Sequence, residues 1–118
     1  MKRAHRLRKP AQFQRARREG KKWETPFFAL QALVNRRRTT RCGFVTSKRL
    51  GIAVVRNRAK RRLREVVRLV YDQIAPGWDI VFIVRSPSVA DVDFQQLTTT
   101  VVQSLQRAGV WRELPTNR

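Results

Sequence analysis

The chain has 118 residues, with 27 Lys or Arg against 8 Asp or Glu, for a formal charge of +19. That length suits a single domain, and a hydrophobic fraction of 42% is enough for a real core, which argues against wholesale disorder. A charge far above the roughly 2–8 units of an ordinary small domain needs a polyanionic partner, nucleic acid or an anionic membrane surface.

No window approaches the about 20 apolar residues of a membrane span. The start, Met1-Lys2-Arg3-Ala4-His5-Arg6-Leu7-Arg8-Lys9, is basic but lacks the apolar stretch of a signal peptide. Cys42 is the only cysteine, which excludes an internal disulfide and a Cys-rich metal site and fits a reducing cytoplasm. The basic residues comprise 21 Arg and 6 Lys. Arg stacks on bases and forks two hydrogen bonds onto phosphate, so nucleic acid is favoured over a membrane.

In chain order, Lys9 to Glu19 reads as a short helix with Pro10 in its first turn and Gly20 as its stop. Its apolar set is thin, and Phe13 is either a core plug or an exposed stacking platform; burial is the commoner fate of a Phe. Pro26 to Val34 reads as a strand with Phe28, Leu30 and Ala32 on one face. Asn35 to Thr40 is a polar, charged hairpin loop. Arg41 to Ser47 is a second strand, in which Cys42 serves as a small buried hydrophobe. After the basic turn Lys48-Arg49-Leu50-Gly51 comes a short apolar run, Ile52-Ala53-Val54, a candidate third strand.

The strongest helix spans about Val55 to Gln73. Ala59, Leu63, Val66, Val67, Val70 and Ile74 form its apolar stripe, with Arg58, Arg61, Arg64 and Arg68 opposite. Pro76-Gly77 closes it. Trp78 to Val84 is nearly continuously apolar, as in a strand covered on both faces. A last helix runs from about Val92 to Ala108, with Asp91 or Asp93 as N-cap and Gly109 as the stop. The predicted class is one α/β layer structure without repeats or a second domain, residues 1–118, with flexible ends at about 1–8 and 110–118.

Enzyme chemistry finds little to stand on. His5 is the only histidine, so neither a Ser-His-Asp nor a Cys-His arrangement can be built. The eight acids are scattered, and capping explains the nearest pair, Asp91 and Asp93, better than metal ligation. No Gly-rich phosphate loop is present. No catalytic residue and no metal site is therefore predicted on the chain. The basic helix is another matter: seven cations, Arg56, Arg58, Lys60, Arg61, Arg62, Arg64 and Arg68, are opposed there only by Glu65. Such a run is ordinarily a solvated face, but at this density and net charge it points to nucleic-acid contact. Each phosphate neutralised would steepen the log–log salt dependence by roughly 0.7–0.9.

Arg56-Asn57-Arg58, Lys60-Arg61 and Arg64-Glu65, preceded by Ser47-Lys48-Arg49 and Gly51-x-Ala53-Val54, resemble the signature of the bacterial ribonuclease P protein component. Arg6-Leu7, Phe13, Gly20, Phe27-Phe28 and Asp79-Ile80-Val81 extend the resemblance over most of the chain. It implies a two-layer α/β sandwich (helix, three strands, helix, strand, helix) around a four-stranded mixed sheet, with a left-handed crossover. It also implies a subunit that binds a large catalytic RNA, one protein per RNA, without an obligate protein partner. That RNA would remove the 5′ leader of precursor tRNA using Mg2+, held mainly by the RNA, with none bound by the protein alone. By the same likeness Arg56, Asn57, Arg58, Lys60, Arg61 and Arg64 face the catalytic RNA, with Lys48, Arg49 and Arg68 added. Phe13, Arg17, Gln31 and Lys60 would serve the single-stranded leader, which moves Phe13 from the core to a cleft. Ile52 stands where the family usually has Asn, and Arg17 and Gln31 where relatives often carry rings, implying a cleft that relies more on charge. A ribosomal-RNA-binding module and a DNA-binding helix module are the alternatives, the first unable to discriminate precursor from mature tRNA.

Overall fold

The computed structural model describes residues 1–113. Helix α1 (Pro10–Glu19) starts on a proline, whose missing N–H costs nothing in the first turn. Strand β1 (Lys21–Glu24) follows, then β2 (Phe28–Val34) and β3 (Arg41–Thr46). Helix α2 (Ala53–Val70) leads through a 3-10 turn to β4 (Trp78–Val84), and α3 (Phe94–Arg107) closes the domain.

The sheet order is β1-β2-β4-β3. β1 and β4 run antiparallel to β2, whereas β3 and β4 are parallel, with α2 as the crossover between them. β4 is thus central, as its continuous apolar run requires. One sheet face supplies Phe28, Leu30, Cys42, Ile80 and Phe82 to the main core. α2 and α3 cover it with Leu63, Val66, Val67, Leu97, Val101 and Leu105, all buried. On the opposite face Ala29, Val81 and Ile83 meet Leu7 and Ala16, with Phe13 packed alongside. The basic helix is therefore fixed by its apolar stripe, which leaves the arginine side free of core duty.

Three expectations change. The third strand is Lys21–Glu24, before the predicted pair; its Lys-Lys-Trp-Glu sequence shows no apolar alternation because it is a short edge strand with only Trp23 partly covered. Ile52-Ala53-Val54 is not a strand: Ile52 is the N-cap residue of α2, and the helix begins two residues before Val55. Part of each supposedly flexible end is packed. Arg6 bridges to Cys42, Leu7 is buried and donates its N–H to the Cys42 carbonyl (2.9 Å), and His5 stacks on Tyr71 at 3.9 Å. Near the other end Val110 is buried and Trp111 bridges to Ile74; residues 114–118 lie outside the described residues. Asp93, rather than Asp91, caps α3 by accepting the Gln96 N–H at 3.1 Å.

One polar cluster lies inside this frame. Arg41 donates to both carboxylate oxygens of Asp79 (2.9 and 2.7 Å), and Asn35 donates to the same carboxylate at 2.9 Å. Asp79, on β4, is only 2% exposed, and its charge is tolerable because Arg41 of β3 and Asn35, just past the end of β2, both bond it.

Candidate nucleic-acid interface

The basic face begins at the turn before α2. Ser47 accepts the Arg49 N–H at 3.1 Å and starts a 3-10 turn over Lys48–Leu50, which leaves Lys48 and Arg49 exposed. Gly51, at φ +140, makes the bend into α2, a conformation that favours glycine. The first turn of α2 carries no acid and no side chain caps it. Cations crowd the positive end of the helix dipole, an arrangement an external anion relieves.

The arginines of α2 divide by what they touch. Asn57, Arg58 and Arg61 are exposed. Arg56 is half-buried and donates to the Gly51 carbonyl at 3.0 Å, so it steadies the turn as well as adding charge. Arg68 spends its fork on Glu65 (3.0 and 2.6 Å), a hydrogen bond that pulls the Glu65 carboxyl below its ordinary range. Arg62 donates to the Val89 carbonyl at 2.7 Å and to that of Val92, fastening α2 to the segment before α3. Its role is structural.

Arg64 lies over the Phe44 ring, 5.7 Å from its centroid. Its Nε is buried without a hydrogen-bond partner among the described residues. Burial first, then the like charges of Arg6 and Arg61, lower its pKa from the ordinary arginine value. A cation in this condition is primed for an anionic oxygen.

Phe13 completes the site from the other side. Its ring sits directly over Gly43: a Cβ there would lie 2.3 Å from the ring. Only glycine lets α1 bring an aromatic this close to the edge strand β3. A groove of about 290 Å³ results, lined by Phe13, Phe44, Lys60, Arg64, Arg6 and Arg8. Phe13 is half-buried, keeping part of its ring accessible.

The structure thus brings Phe13 and Lys60 into one groove. Arg17 is exposed on α1, one turn beyond Phe13. Gln31 lies outside the groove lining, on the sheet face that α1 covers: it is buried and its amide Nε2 donates to the Arg17 carbonyl at 3.0 Å. Its amide N–H supports α1 from below. Sequence reasoning missed Arg6, Arg8 and Phe44. The available signal was the alternation Arg6-Leu7-Arg8, in which an inward Leu7 leaves two cations beside the groove. Among the described residues no three His, Cys, Asp or Glu side chains converge on a point where they could hold a metal ion.

A family model described as Ribonuclease P matches residues 1–109. The chain belongs to the ribonuclease P protein family. It is 63% identical over 110 residues to the ribonuclease P protein component of Roseiflexus sp. (strain RS-1), covering 93% of this chain and 90% of that one. The corresponding protein of Chloroflexus aurantiacus (strain J-10-fl) is 49% identical over 108 residues, 92% of this chain and 80% of its own. Among solved structures, the Staphylococcus aureus RNase P protein superposes with a TM-score of 0.80 at 31% identity, covering 92% and 99% of the two chains. The Thermotoga maritima RNase P protein gives 0.78 at 31% identity, covering 86% and 96%. The ribonuclease P protein is the protein subunit of the ribonucleoprotein endonuclease that processes tRNA 5′ ends, and its partner is the ribonuclease P RNA.

Proposed function

We propose that the two sides of this molecule divide the work of the holoenzyme. Asn57, Arg58 and Arg61, with Lys48, Arg49 and Arg56 at the approach to the helix, bind backbone phosphates of the catalytic RNA, one protein to one RNA. The groove between Phe13, Lys60 and Arg64 holds the single-stranded 5′ leader of precursor tRNA. A base stacks on the accessible part of Phe13, while Lys60 and Arg64 neutralise the adjoining phosphates. Arg17 extends the same path along α1.

Hydrolysis belongs to the RNA, assisted by Mg2+ that the RNA and the substrate phosphates hold. The protein contributes positive charge that lets two polyanions approach, and a track that aligns the leader. This work is assigned to the cytoplasm, and no obligate protein partner is needed for it.

The observation that carries this reading is the Phe13 ring held over Gly43, one side against the second core cluster and the other at the rim of a cationic groove. In the reconstituted holoenzyme, Phe13→Ala and Arg17→Ala should weaken binding of leader-bearing precursor roughly tenfold, as expected when one base stack worth about 1–3 kcal/mol is lost. Mature tRNA should bind as before. Equal losses for both RNAs would refute the leader assignment.

A further inference from the structure

We propose that a second cationic pocket, adjoining the Phe13 groove, binds a backbone phosphate of the leader strand beyond the stretch the groove itself holds. This rests on the leader reading above and extends it to a separate subsite. The pocket, about 260 Å³, is lined by Arg3, Arg6, Arg8, Lys9, Arg37 and Arg41. Arg41 is committed to Asp79. The other five enter none of the ion pairs among the described residues, which involve Arg15, Arg18, Lys22, Arg41 and Arg68.

Five like charges in one pocket repel, so something else must hold them there. On one wall it is Asn35, 8% exposed: its Oδ1 accepts the Arg37 N–H at 2.7 Å, and its Nδ2 donates to the Thr39 carbonyl (3.0 Å) and to Asp79 (2.9 Å). Arg36 adopts the left-handed conformation (φ 59) that this tight loop demands. On the other wall Gln12 Oε1 accepts the N–H groups of Arg8 and Lys9, each at 3.2 Å, and Leu7 is pinned to Cys42. The backbone on both walls is thus fixed before any ligand arrives, so the exposed side chains it carries start from one rim, and guanidinium forks suit phosphate oxygens.

Continuity decides the occupant. Arg6 and Arg8 line both the groove and the pocket, so a strand leaving the groove on that side passes directly between the two cavities.

The test uses the reconstituted holoenzyme and three RNAs: mature tRNA, a precursor whose short leader fills only the groove, and one with a longer leader. The double variant Arg3→Ala, Arg37→Ala changes two exposed side chains and should fold as the parent does, which circular dichroism checks. It should lose roughly tenfold in affinity for the long-leader precursor. Its salt slope for that RNA should fall by about 1. The short-leader precursor, mature tRNA and catalytic RNA should bind as before. Asn35→Ala should reproduce part of the long-leader loss by freeing Arg37. An equal loss for all three substrates, or weakened binding of the catalytic RNA alone, would overturn the inference and give the pocket to the catalytic RNA; no loss would overturn it too. Failure of the underlying leader reading looks different, because the wild-type holoenzyme would then bind all three substrates alike.

Discussion

Gly43 and Phe13 share a space that admits only one of a Cβ and a ring. Gly43→Ala should push the ring off the strand, destabilise the protein by about 1–3 kcal/mol and weaken leader binding together, as overpacking does. Urea unfolding alongside precursor affinity checks both. Asp79 is the more severe case. Asp79→Ala leaves the Arg41 guanidinium, whose side chain is 12% exposed, without its counter-charge, and should cost about 3–5 kcal/mol. A loss under about 1 kcal/mol in urea unfolding would show that Arg41 finds another partner.

Cys42 gives a pH signature. Burial pushes its thiol up to about 12 from an ordinary value of 9.0, with the Asp79 carboxylate adding to the effect. A raised folded-state value means that the stabilising contribution is whole below pH 9 and is lost as pH rises toward 12. Tyr71, also raised to about 12 by partial burial, acts in the same direction from its ordinary value of 10.0. Stability should therefore decline through this alkaline range, less steeply in Cys42→Ala, and the native thiol should resist thiol reagents at pH 8 until the chain unfolds. Fast labelling of the native protein would contradict this.

At the scale of elements, α2 does two jobs with one repeat. Its apolar stripe was legible because Leu63, Val66 and Val67 recur at helical spacing, and the burial of all three follows from that spacing. The division among its arginines was not legible. Periodicity places Arg58, Arg61, Arg64 and Arg68 on one side but says nothing of Glu65 capturing Arg68, of Phe44 lying under Arg64, or of Val89 and Val92 offering carbonyls to Arg62. Those partners are remote in sequence or depend on rotamers. Arg58→Ala and Arg61→Ala should each reduce the salt slope of RNA binding by roughly 0.7–0.9 with little change in stability. Arg62→Ala should do the reverse, lowering the melting temperature and leaving the slope unchanged. Matching effects from all three would contradict the division.

Strand β1 was missed for a physical reason as well. A four-residue edge strand carrying three charges satisfies its backbone through β2 and needs no apolar face of its own. Gln31 was illegible in another way: nothing in a polar residue within a strand pattern announces that it is largely buried and tied to the α1 backbone through the Arg17 carbonyl. The N-terminal segment was read as a tail because it is short and basic, yet a buried Leu7, its bond to Cys42 and the His5–Tyr71 stack dock it, and docking turns Arg6 and Arg8 into walls of the groove.

Across the whole molecule, charge and shape are arranged around the outer edge of β3. α1 approaches from one sheet face with Phe13, α2 from the other with Lys60 and Arg64, and the N-terminal segment crosses the edge at Cys42. A net charge of +19 would oppose compaction in isolation, so folding and RNA binding should be linked. The composition alone announced a polyanionic partner; the kind of RNA needed the motif, and the groove needed the fold.

In the proposed division of labour, hydrolysis rests with the RNA and the chain only assists it. Cleavage of a 5′-leader-bearing precursor tRNA at low magnesium tests it, with the protein alone, the ribonuclease P RNA alone, and both together. Efficient removal of the leader is expected only in the combination. Cleavage by the purified protein alone, or no change on adding folded protein to the RNA, would contradict it.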